Sequence, residues 1–451
     1  MSHSFIGKQA VVIGAGMGGL AAAVTLANHF EQVVVLERDE LPARPKPRTG
    51  TPQDKQLHGL LAGGLRALGA LLPGIADNLR EAGGVRIDAG RDIRYEFPDC
   101  DPMPNPDRDY DMYLLTRPLL EFTVRQRVAQ KNNVIFRQNC RVIEILPARD
   151  GAGASGVRYE TDGDVQYRLT ADLVVDASSS GALTRTFLRA SGQALPEETI
   201  IGVDIGYATA IYTLPEDAMR DWKGVITLPV APDSSRSAYF VRMENDRWML
   251  GLNGRDDDKP PADPDGFLDY VRTLRTPTIY NAIRQGKLEG GILRFGLQQS
   301  VRRHFDRLSA FPRGLLPIGD AICRFNPIYG QGMSVASQEA QLLDDLLRHR
   351  ARGADPLNGL GEAFFKAAQP LIQAPWEMSA VPDFIYPDTR GARPADFDDA
   401  IAFSSGLYRV AFRDPVVRRL ILEVQQLLQP PCILHDPALV QRVKAELAKA
   451  A

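Results

Sequence analysis

Three glycines near the start of the chain have the spacing of a phosphate-binding turn. Gly14, Gly16 and Gly19 form a Gly-x-Gly-x-x-Gly motif directly after the apolar run 10–13. Gly14 permits a tight turn, Gly16 lets a phosphate approach the backbone, and Gly19 lets the following helix pack closely on the strand. The start of that helix adds unpaired N–H groups and the positive end of a dipole. We therefore predict that this turn binds the pyrophosphate of a dinucleotide.

A carboxylate follows at the distance that such a fold needs. Residues 32–36 form a second apolar run, and Glu37 stands at its end, where its carboxylate can accept hydrogen bonds from ribose hydroxyls. Arg38 comes next, and its guanidinium could stack on an adenine ring or remain a solvated charge at the strand end. The order of strand, glycine turn, helix, strand and acid predicts a Rossmann-like unit, and the motif alone fits either NAD or FAD.

A second segment that could touch a cofactor lies far along the chain. An apolar strand ends at Asp320, whose carboxylate could accept hydrogen bonds from the ribityl chain of a flavin. A loop with Pro327 and two glycines follows, and a long helix begins at about Met333. The amides of Gly330 and Gly332 at this helix start would stabilise negative charge on a flavin ring. The structural alternative is a strand–loop–helix turn with a capping aspartate.

Other segments supply the elements that must position these residues. Residues 57–79 are predicted to be helical with a break near Pro73, and a helix is predicted from 117 to 130. Residues 173–177 are a short apolar run of the kind found in buried parallel strands. Beyond Met333 the chain is predicted to be mostly helical.

Residues 201–253 change to alternating, β-rich segments, which predict an antiparallel sheet in a separate layer. Such a layer commonly forms one wall of a substrate pocket. Its aromatic side chains could line that pocket or pack in the core, and alternation alone does not separate the two readings. These residues are Tyr207, Tyr212, Tyr239, Phe240 and Trp248.

Composition excludes several classes of protein. The 451 residues carry a formal net charge of −3, so there is no basic excess that would indicate a nucleic-acid partner. The 4 cysteines are scattered and the 6 histidines form no His-x-x-x-His pair, which argues against a metal site and favours reduced thiols in a cytoplasmic protein. The amphipathic segment 414–428 could rest on a membrane surface, although packing on its own domain is the favoured reading.

Taken together, these segments resemble the FAD-dependent aromatic-hydroxylase-type (group A) flavoprotein monooxygenases. Residues 113–121 are similar to the family's helix start whose arginine approaches FAD, which implies that role for Arg117. Val142 matches a place where the family contacts adenine through the backbone. The blocks 51–61 and 325–333 look most like the bacterial branch that contains polyene epoxidases and relatives of squalene epoxidase.

This resemblance implies FAD as cofactor and NAD(P)H as reductant. The chain departs from the family where an Asp-Gly pair usually follows the buried strand, since serines occupy positions 178–180. NAD(P)H would then bind transiently against the flavin, or a separate reductase would supply the electrons. The residues expected to bind FAD are Gly14, Gly16, Gly19, Glu37, Arg38, Arg117, Val142, Asp320, Gly330, Gly332 and Met333.

The expected fold is α/β, with a Rossmann-like FAD-binding domain of the glutathione-reductase type. That discontinuous domain would comprise residues 1–80, 112–190 and 290–345. An interleaved antiparallel-sheet substrate domain would comprise 81–111 and 191–289, and a helical C-terminal region would comprise 346–451.

The activity implied is a monooxygenase of secondary metabolism that hydroxylates or epoxidises an apolar polyketide, isoprenoid or aromatic molecule with O2, through a flavin C4a-hydroperoxide. No catalytic acid–base pair is required, because the flavin does the chemistry beside the loop of Pro327, Gly330 and Gly332. His58 is accordingly given no role in proton transfer. The alternatives are a reductase of isoprenoid-type double bonds and a non-catalytic flavin-binding protein. A flavin halogenase is disfavoured, because the chain has no Trp-x-Trp-x-Ile-Pro segment.

Overall fold

The computed structural model describes residues 5–98, 110–161, 163, 165–215 and 221–449, so Cys100 and part of the expected segment 81–111 lie outside the described residues. The strands are β1 (Gly7–Ile13), β2 (Phe30–Leu36), β3 (Val85–Asp88), β4 (Ile93–Glu96), β5 (Asp111–Leu114), β6 (Val134–Arg137), β7 (Arg141–Pro147), β8 (Ala154–Thr161), β9 (Val165–Thr170), β10 (Leu173–Asp176), β11 (Glu198–Thr213), β12 (Gly224–Thr227), β13 (Ser237–Arg242), β14 (Arg247–Arg255), β15 (Lys287–Arg303), β16 (Leu315–Pro317) and β17 (Cys323–Arg324). The helices are α1 (Met17–Leu26), α2 (Ala62–Leu71), α3 (Ile75–Glu81), α4 (Arg117–Val128), α5 (Ala182–Ala190), α6 (Pro264–Arg272), α7 (Thr278–Ile283), α8 (Gly332–Arg350), α9 (Leu360–Ser379), α10 (Phe397–Arg413), α11 (Pro415–Gln425) and α12 (Pro437–Leu447).

The predicted α/β fold with a Rossmann-like sheet is confirmed. Five parallel strands form a sheet in the order β16-β10-β1-β2-β6. Helix α1 begins at Met17, three residues before the predicted start at Leu20, because Gly16 has the extended backbone (φ −74, ψ 178) of a residue that precedes a helix. The carboxyl ends of β1 and β16, where ligands bind in open α/β sheets, carry the glycine turn and Asp320.

The predicted antiparallel layer is also present and is larger than the sequence indicated. Seven strands pair in the order β17-β15-β11-β14-β13-β12-β4, and every pair except β4–β12 is antiparallel. Strand β15 is 17 residues long and pairs along β11, so the sheet continues beyond residue 289. Strand β4 adds a short edge from an earlier part of the chain.

The C-terminal helices cover the parallel sheet and then form a smaller cluster. Helix α8 lies against α1, where Thr25 Oγ1 donates to Ala340 O over 2.9 Å. Helix α11 buries Val417 and Ile421 in an apolar cluster with α10 and α12, as the favoured reading of its amphipathic pattern expects. No helix among the described residues is long and apolar enough to span a bilayer.

Candidate cofactor and substrate cavity

One large cavity lies between the parallel and the antiparallel sheet. Its volume is about 1320 Å³, above the roughly 300–1,000 Å³ typical of a pocket for one small ligand. The cavity is therefore large enough for two ligands side by side. Of the residues expected to bind FAD or to flank its ring, all but Gly19 line it.

The glycine turn is shaped by its own packing at two positions and open to the cavity at the third. Gly14 has a φ of +97°, which favours glycine. A Cβ on Gly19 would lie 1.9 Å from the carbonyl oxygen of Gly14, so this residue serves helix–strand packing. A Cβ on Gly16 would meet only Nη2 of Arg117, at 3.9 Å. The space beside Gly16 is thus a cradle that a side chain would fill, as a pyrophosphate site requires.

Arg117 stands beside this cradle because of how its helix begins. Thr116 caps α4 by accepting the amide of Leu119, and Arg117 is the first helical residue. Its Nε lies 2.9 Å from Oδ1 of Asp54, a buried carboxylate that sequence reasoning missed. This ion pair fixes the side chain of Arg117 and turns Nη2 of its guanidinium toward Gly16, where it could bind a phosphate.

Glu37 ends β2 at the cavity wall, with both carboxylate oxygens already engaged. Oε2 accepts from the amide of Ala15 over 2.7 Å, and Oε1 accepts from the amide of Asp39 over 3.1 Å. Nη1 of Arg48 lies 3.2 Å from Oε2. Oε1, which has one partner, keeps a second lone pair for a ribose hydroxyl. The bond to Ala15 additionally ties the acid to the glycine turn, which the sequence pattern did not indicate.

Arg48 is a further residue that the sequence did not single out. Its guanidinium is buried between Glu37, Asp39 and Glu121, with contacts of 2.8–3.2 Å. Burial raises the pKa of Glu121, and Arg48 opposes that shift. Because the residue comes from the proline-rich loop after β2, this cluster anchors the loop to the Rossmann-like unit.

Arg38 and Val142 lie at the edge of the same cavity. Arg38 is exposed, and its Nη2 donates to the carbonyl oxygen of Gly50 over 3.2 Å. Val142 is half-buried near the start of β7. Their contacts with an adenine ring stay a prediction.

Asp320 offers a carboxylate acceptor to the cavity. In the part of the chain that the structure describes, no residue donates a hydrogen bond to its carboxylate, which lines the cavity. Burial raises the pKa of Asp320, while the cations Arg117, Arg324 and Arg303 oppose the rise. A hydroxyl-bearing chain in the cavity would supply the missing donors.

The loop before α8 requires one correction. The amide of Gly330, which was expected to face a flavin ring, donates to the carbonyl oxygen of Pro327 over 3.0 Å and is therefore used within the turn. Its φ of +66° explains the glycine instead. Helix α8 begins at Gly332, and the amides of Gly332 and Met333 lie in its first turn, where no partner is available within the helix. These two amides, with the helix dipole, form the anion-stabilising end.

Glu339 supports this region from behind. Its Oε2 accepts the amide of Gly319 over 2.6 Å, and the side chain is fully buried. Burial raises the pKa of Glu339 to about 8, so the carboxyl is protonated at neutral pH. No sequence pattern marks a single acid in a long helix as buried.

The large sheet divides its aromatic residues between two faces. Tyr207 and Tyr239 line the cavity. Tyr212, Phe240 and Trp248 point the other way and pack with α6 and α7 in a separate core cluster. Two of the five aromatic residues therefore line the cavity and three pack in the core, so each of the two alternatives that the sequence left open holds for some of them.

A buried network links the sheet to the loop before α8. The hydroxyl of Tyr207 donates to Oδ1 of Asn326 over 3.1 Å, and Nδ2 of Asn326 donates to Asp383 over 3.2 Å. Asp383 also forms an ion pair with Arg255 of β14. Burial raises the pKa of Asp383 to about 6, and Arg255 opposes the shift.

Comparisons with known proteins agree with this architecture. The family profile of the NAD(P)-binding Rossmann-like domain matches residues 12–58. Protein Rv3254 of Mycobacterium tuberculosis is 30% identical over 461 aligned residues, which cover 97% of this chain and 93% of that protein.

Solved structures of flavin enzymes share the whole fold at low identity. The flavin-dependent brominase Bmp2 superposes with a TM-score of 0.68 at 16% identity, covering 99% of this chain and 100% of that one. The myxobacterial chondrochloren halogenase CndH superposes with a TM-score of 0.62 at 19% identity, covering 94% of this chain and 96% of that one. PqsL, a probable FAD-dependent monooxygenase from Pseudomonas aeruginosa, superposes with a TM-score of 0.58 at 16% identity, covering 84% of this chain and 98% of that one. None of these proteins supports the narrower resemblance to squalene epoxidase relatives.

Proposed function

Because the chain belongs to the family of Protein Rv3254 and has the fold of flavin-dependent monooxygenases and halogenases, we propose that it is an FAD-dependent monooxygenase. It would place one oxygen atom of O2 on an apolar small molecule, by hydroxylation or epoxidation. Two electrons from NAD(P)H, supplied directly or through a reductase, would convert the second oxygen atom to water. We place this reaction in the cytoplasm and in secondary metabolism.

A single observation carries the proposal: one cavity joins the glycine turn, where we propose that the nucleotide binds, to an apolar end, and the start of α8 touches both. A Cβ on Gly18, beside the glycine turn, would lie 3.5 Å from Cβ of Ala336 in α8. On the other side, Asn326 just before α8 is bonded to Tyr207 of the large sheet. A cofactor that extends from the glycine turn along α8 would therefore end next to whatever the sheet binds.

The residues present fit FAD at the first end. Gly16 leaves the cradle open, Arg117 supplies a cation beside it, and Asp320 has an unpartnered carboxylate for a hydroxylated chain. Bound FAD would supply the reduction of O2 and the transfer of one oxygen atom, chemistry that protein side chains cannot perform.

The chain's own residues would bind and orient the ligands and shield the reacting atoms from water. The amides of Gly332 and Met333 would hold negative charge at the start of α8. Tyr207, Asn326 and Asp383 would hold the preceding loop against the sheet. The apolar wall would keep water from the reacting atoms.

Halogenation is the second candidate, because Bmp2 and CndH share the fold over almost the whole chain. The absence of a Trp-x-Trp-x-Ile-Pro segment is the observation against it.

One product experiment separates the candidates. The purified protein, loaded with FAD and photoreduced, is mixed with oxygen-18 gas, bromide and a small-molecule extract of its host. Mass spectrometry should show a compound that gains one oxygen-18 atom. A brominated product would establish the halogenase instead, and a product with two added hydrogens would establish a double-bond reductase. The absence of any product would favour a non-catalytic flavin protein.

A further inference from the structure

A row of cavity-lining residues crosses the large sheet from strand to strand. Tyr95 of β4 pairs with Ile226, Ile226 pairs with Tyr239, Tyr239 pairs with Gly251, and Gly251 pairs with Thr209. All five line the cavity. Gly251 leaves a gap in this row, since a Cβ there would meet nothing closer than Leu57 at 3.5 Å. The row is therefore the floor of the apolar end, with a tyrosine at its edge and another at its centre.

The hydroxyls of both tyrosines lack a partner in the part of the chain that the structure describes. Among the residues that the structure describes, none forms a hydrogen bond with the hydroxyl of Tyr95 or of Tyr239. In contrast, the hydroxyl of Tyr207 on the same face is bonded to Asn326. Burial raises the pKa of Tyr95 and of Tyr239, and the carboxylate of Asp88 adds to the rise at Tyr95, so both hydroxyls keep their protons. Two buried O–H donors with no acceptor among the described residues can donate to acceptor atoms of a bound ligand.

The strands that form the floor place no charged side chain in the described part of the cavity wall. The described residues of β4 and of β11 to β14 contribute no Asp, Glu, Lys or Arg to the cavity wall. His58 also lines the cavity, and its Nδ1 donates to the carbonyl oxygen of Gln56 over 2.9 Å. Burial, aided by Arg117, lowers the pKa of His58 to about 3, so the imidazole is neutral with Nε2 as an acceptor. The cations that line the cavity, among them Arg117 and Arg324, come from other elements, so a charged substrate group on the floor would have no counter-ion from the floor strands themselves.

We propose that the substrate is an uncharged, oxygen-bearing molecule whose carbonyl or ether oxygens accept hydrogen bonds from the hydroxyls of Tyr95 and Tyr239. This rests on the proposed function, which it narrows from any apolar molecule to an oxygenated one. Oxygenated polyketides and aromatic ketones fit, whereas hydrocarbon isoprenoids do not.

The physical basis is the cost of leaving a polar group unpaired. A hydrocarbon in this cavity would displace water from both hydroxyls and replace none of the lost hydrogen bonds. A site built to hydrogen-bond a ligand rejects the analogue that lacks the polar atom more strongly than an apolar pocket rejects a missing methylene. Tyr95 and Tyr239 are thus residues that determine specificity.

Calorimetry with matched probes tests the proposal on the purified, FAD-supplemented protein. The probes are 1-tetralone, its hydrocarbon counterpart tetralin, and the anion 1-naphthoate. We expect 1-tetralone to bind about tenfold more tightly than tetralin, as one or two net hydrogen bonds would give. We expect 1-naphthoate to bind more weakly than the ketone. Equal or tighter binding of tetralin or 1-naphthoate would overturn the proposal, as would a lack of binding by all three.

Two variants locate the effect. Tyr95→Phe/Tyr239→Phe removes both hydroxyls with little change in shape. In this double variant 1-tetralone and tetralin should bind with about equal affinity. Tyr212→Phe is the matched control, because this tyrosine lies on the opposite face of the same sheet and should leave the preference intact. An unchanged preference in the double variant would contradict the assignment to these residues. Flavin content is measured on the same samples, so a protein that selects the ketone but binds no FAD would refute only the proposed oxygenase.

Discussion

At the scale of single residues, the sequence predicts the positions of glycines and acids that a motif spacing marks. It does not predict the environment of residues whose role comes from burial in the folded chain. The spacing of Gly14, Gly16 and Gly19 already states a strand–turn–helix geometry, and the structure has that geometry. Arg48 and Glu339 have no such spacing. Their environment comes from elements distant in sequence, so only the folded chain shows that one is an internal ion-pair centre and the other a buried acid.

The glycine turn allows packing and ligand binding to be separated. Gly16→Val should lower the unfolding free energy of the FAD-free protein by only about 1 kcal/mol, the usual cost of an apolar N-cap, because the built Cβ meets no backbone atom. It should weaken FAD binding at least tenfold by filling the cradle. Gly19→Ala, which collides with the carbonyl oxygen of Gly14, should cost about 1–3 kcal/mol of stability. Urea unfolding and FAD titration measure the two effects, and unchanged FAD affinity in Gly16→Val would contradict the cradle.

Glu339 predicts a pH dependence of stability. Its pKa is about 8 when folded against a reference value of 4.5, so between these values only the folded chain keeps the proton. Stability should therefore fall as pH rises from about 5 to about 8, with the loss complete above the folded pKa. The glutamine of Glu339→Gln cannot ionise. Over this pH range the unfolding free energy of the variant should therefore fall by at least about 2 kcal/mol less than that of the unmodified protein.

Unfolding at pH 5, 7 and 9 checks this, with the exposed Glu31→Gln as control. Parallel pH profiles of Glu339→Gln and the unmodified protein would show that Glu339 is not held protonated.

At the scale of elements, strands and helices with a single dominant pattern were predictable. The break between α2 and α3 and the start of α4 fall where proline and cap residues indicate. The two faces of the large sheet were not separable, because one packs on helices and the other lines an apolar cavity. Both faces therefore carry apolar and aromatic residues. Strand β15, with its glycines and arginines, gave no clear alternation and was placed only by its pairing with β11.

The short 3₁₀ turn Pro382–Ile385 provides a test of how the C-terminal region supports the site. Asp383→Ala would leave Arg255 and Asn326 buried without their acceptor, and we expect a loss of about 3–5 kcal/mol. Asp398→Ala, which removes an exposed partner of Arg393, should change stability by less than about 0.5 kcal/mol. Urea unfolding of both variants measures the contrast, and equal effects would mean that the buried network contributes nothing.

At the scale of the whole molecule, the proposed function depends on a cavity that no single segment contains. Its proposed nucleotide-binding end comes from β1, β2 and α4, its floor from β4 and β11 to β14, and the start of α8 lies between them. The motifs predicted the first and last of these. The row formed by Tyr95, Ile226, Tyr239, Gly251 and Thr209 follows from the register of four strand pairs that join five strands, and the sequence alone does not supply that register.

The most direct test of the account is the identity of the cofactor released from the purified protein. Heat-denatured protein should release FAD, identified by absorbance and mass, at close to one per chain, or the FAD-free chain should take up one equivalent when FAD is added. A chain that binds no flavin under either condition, or that instead retains a nicotinamide dinucleotide alone, would contradict the central claim.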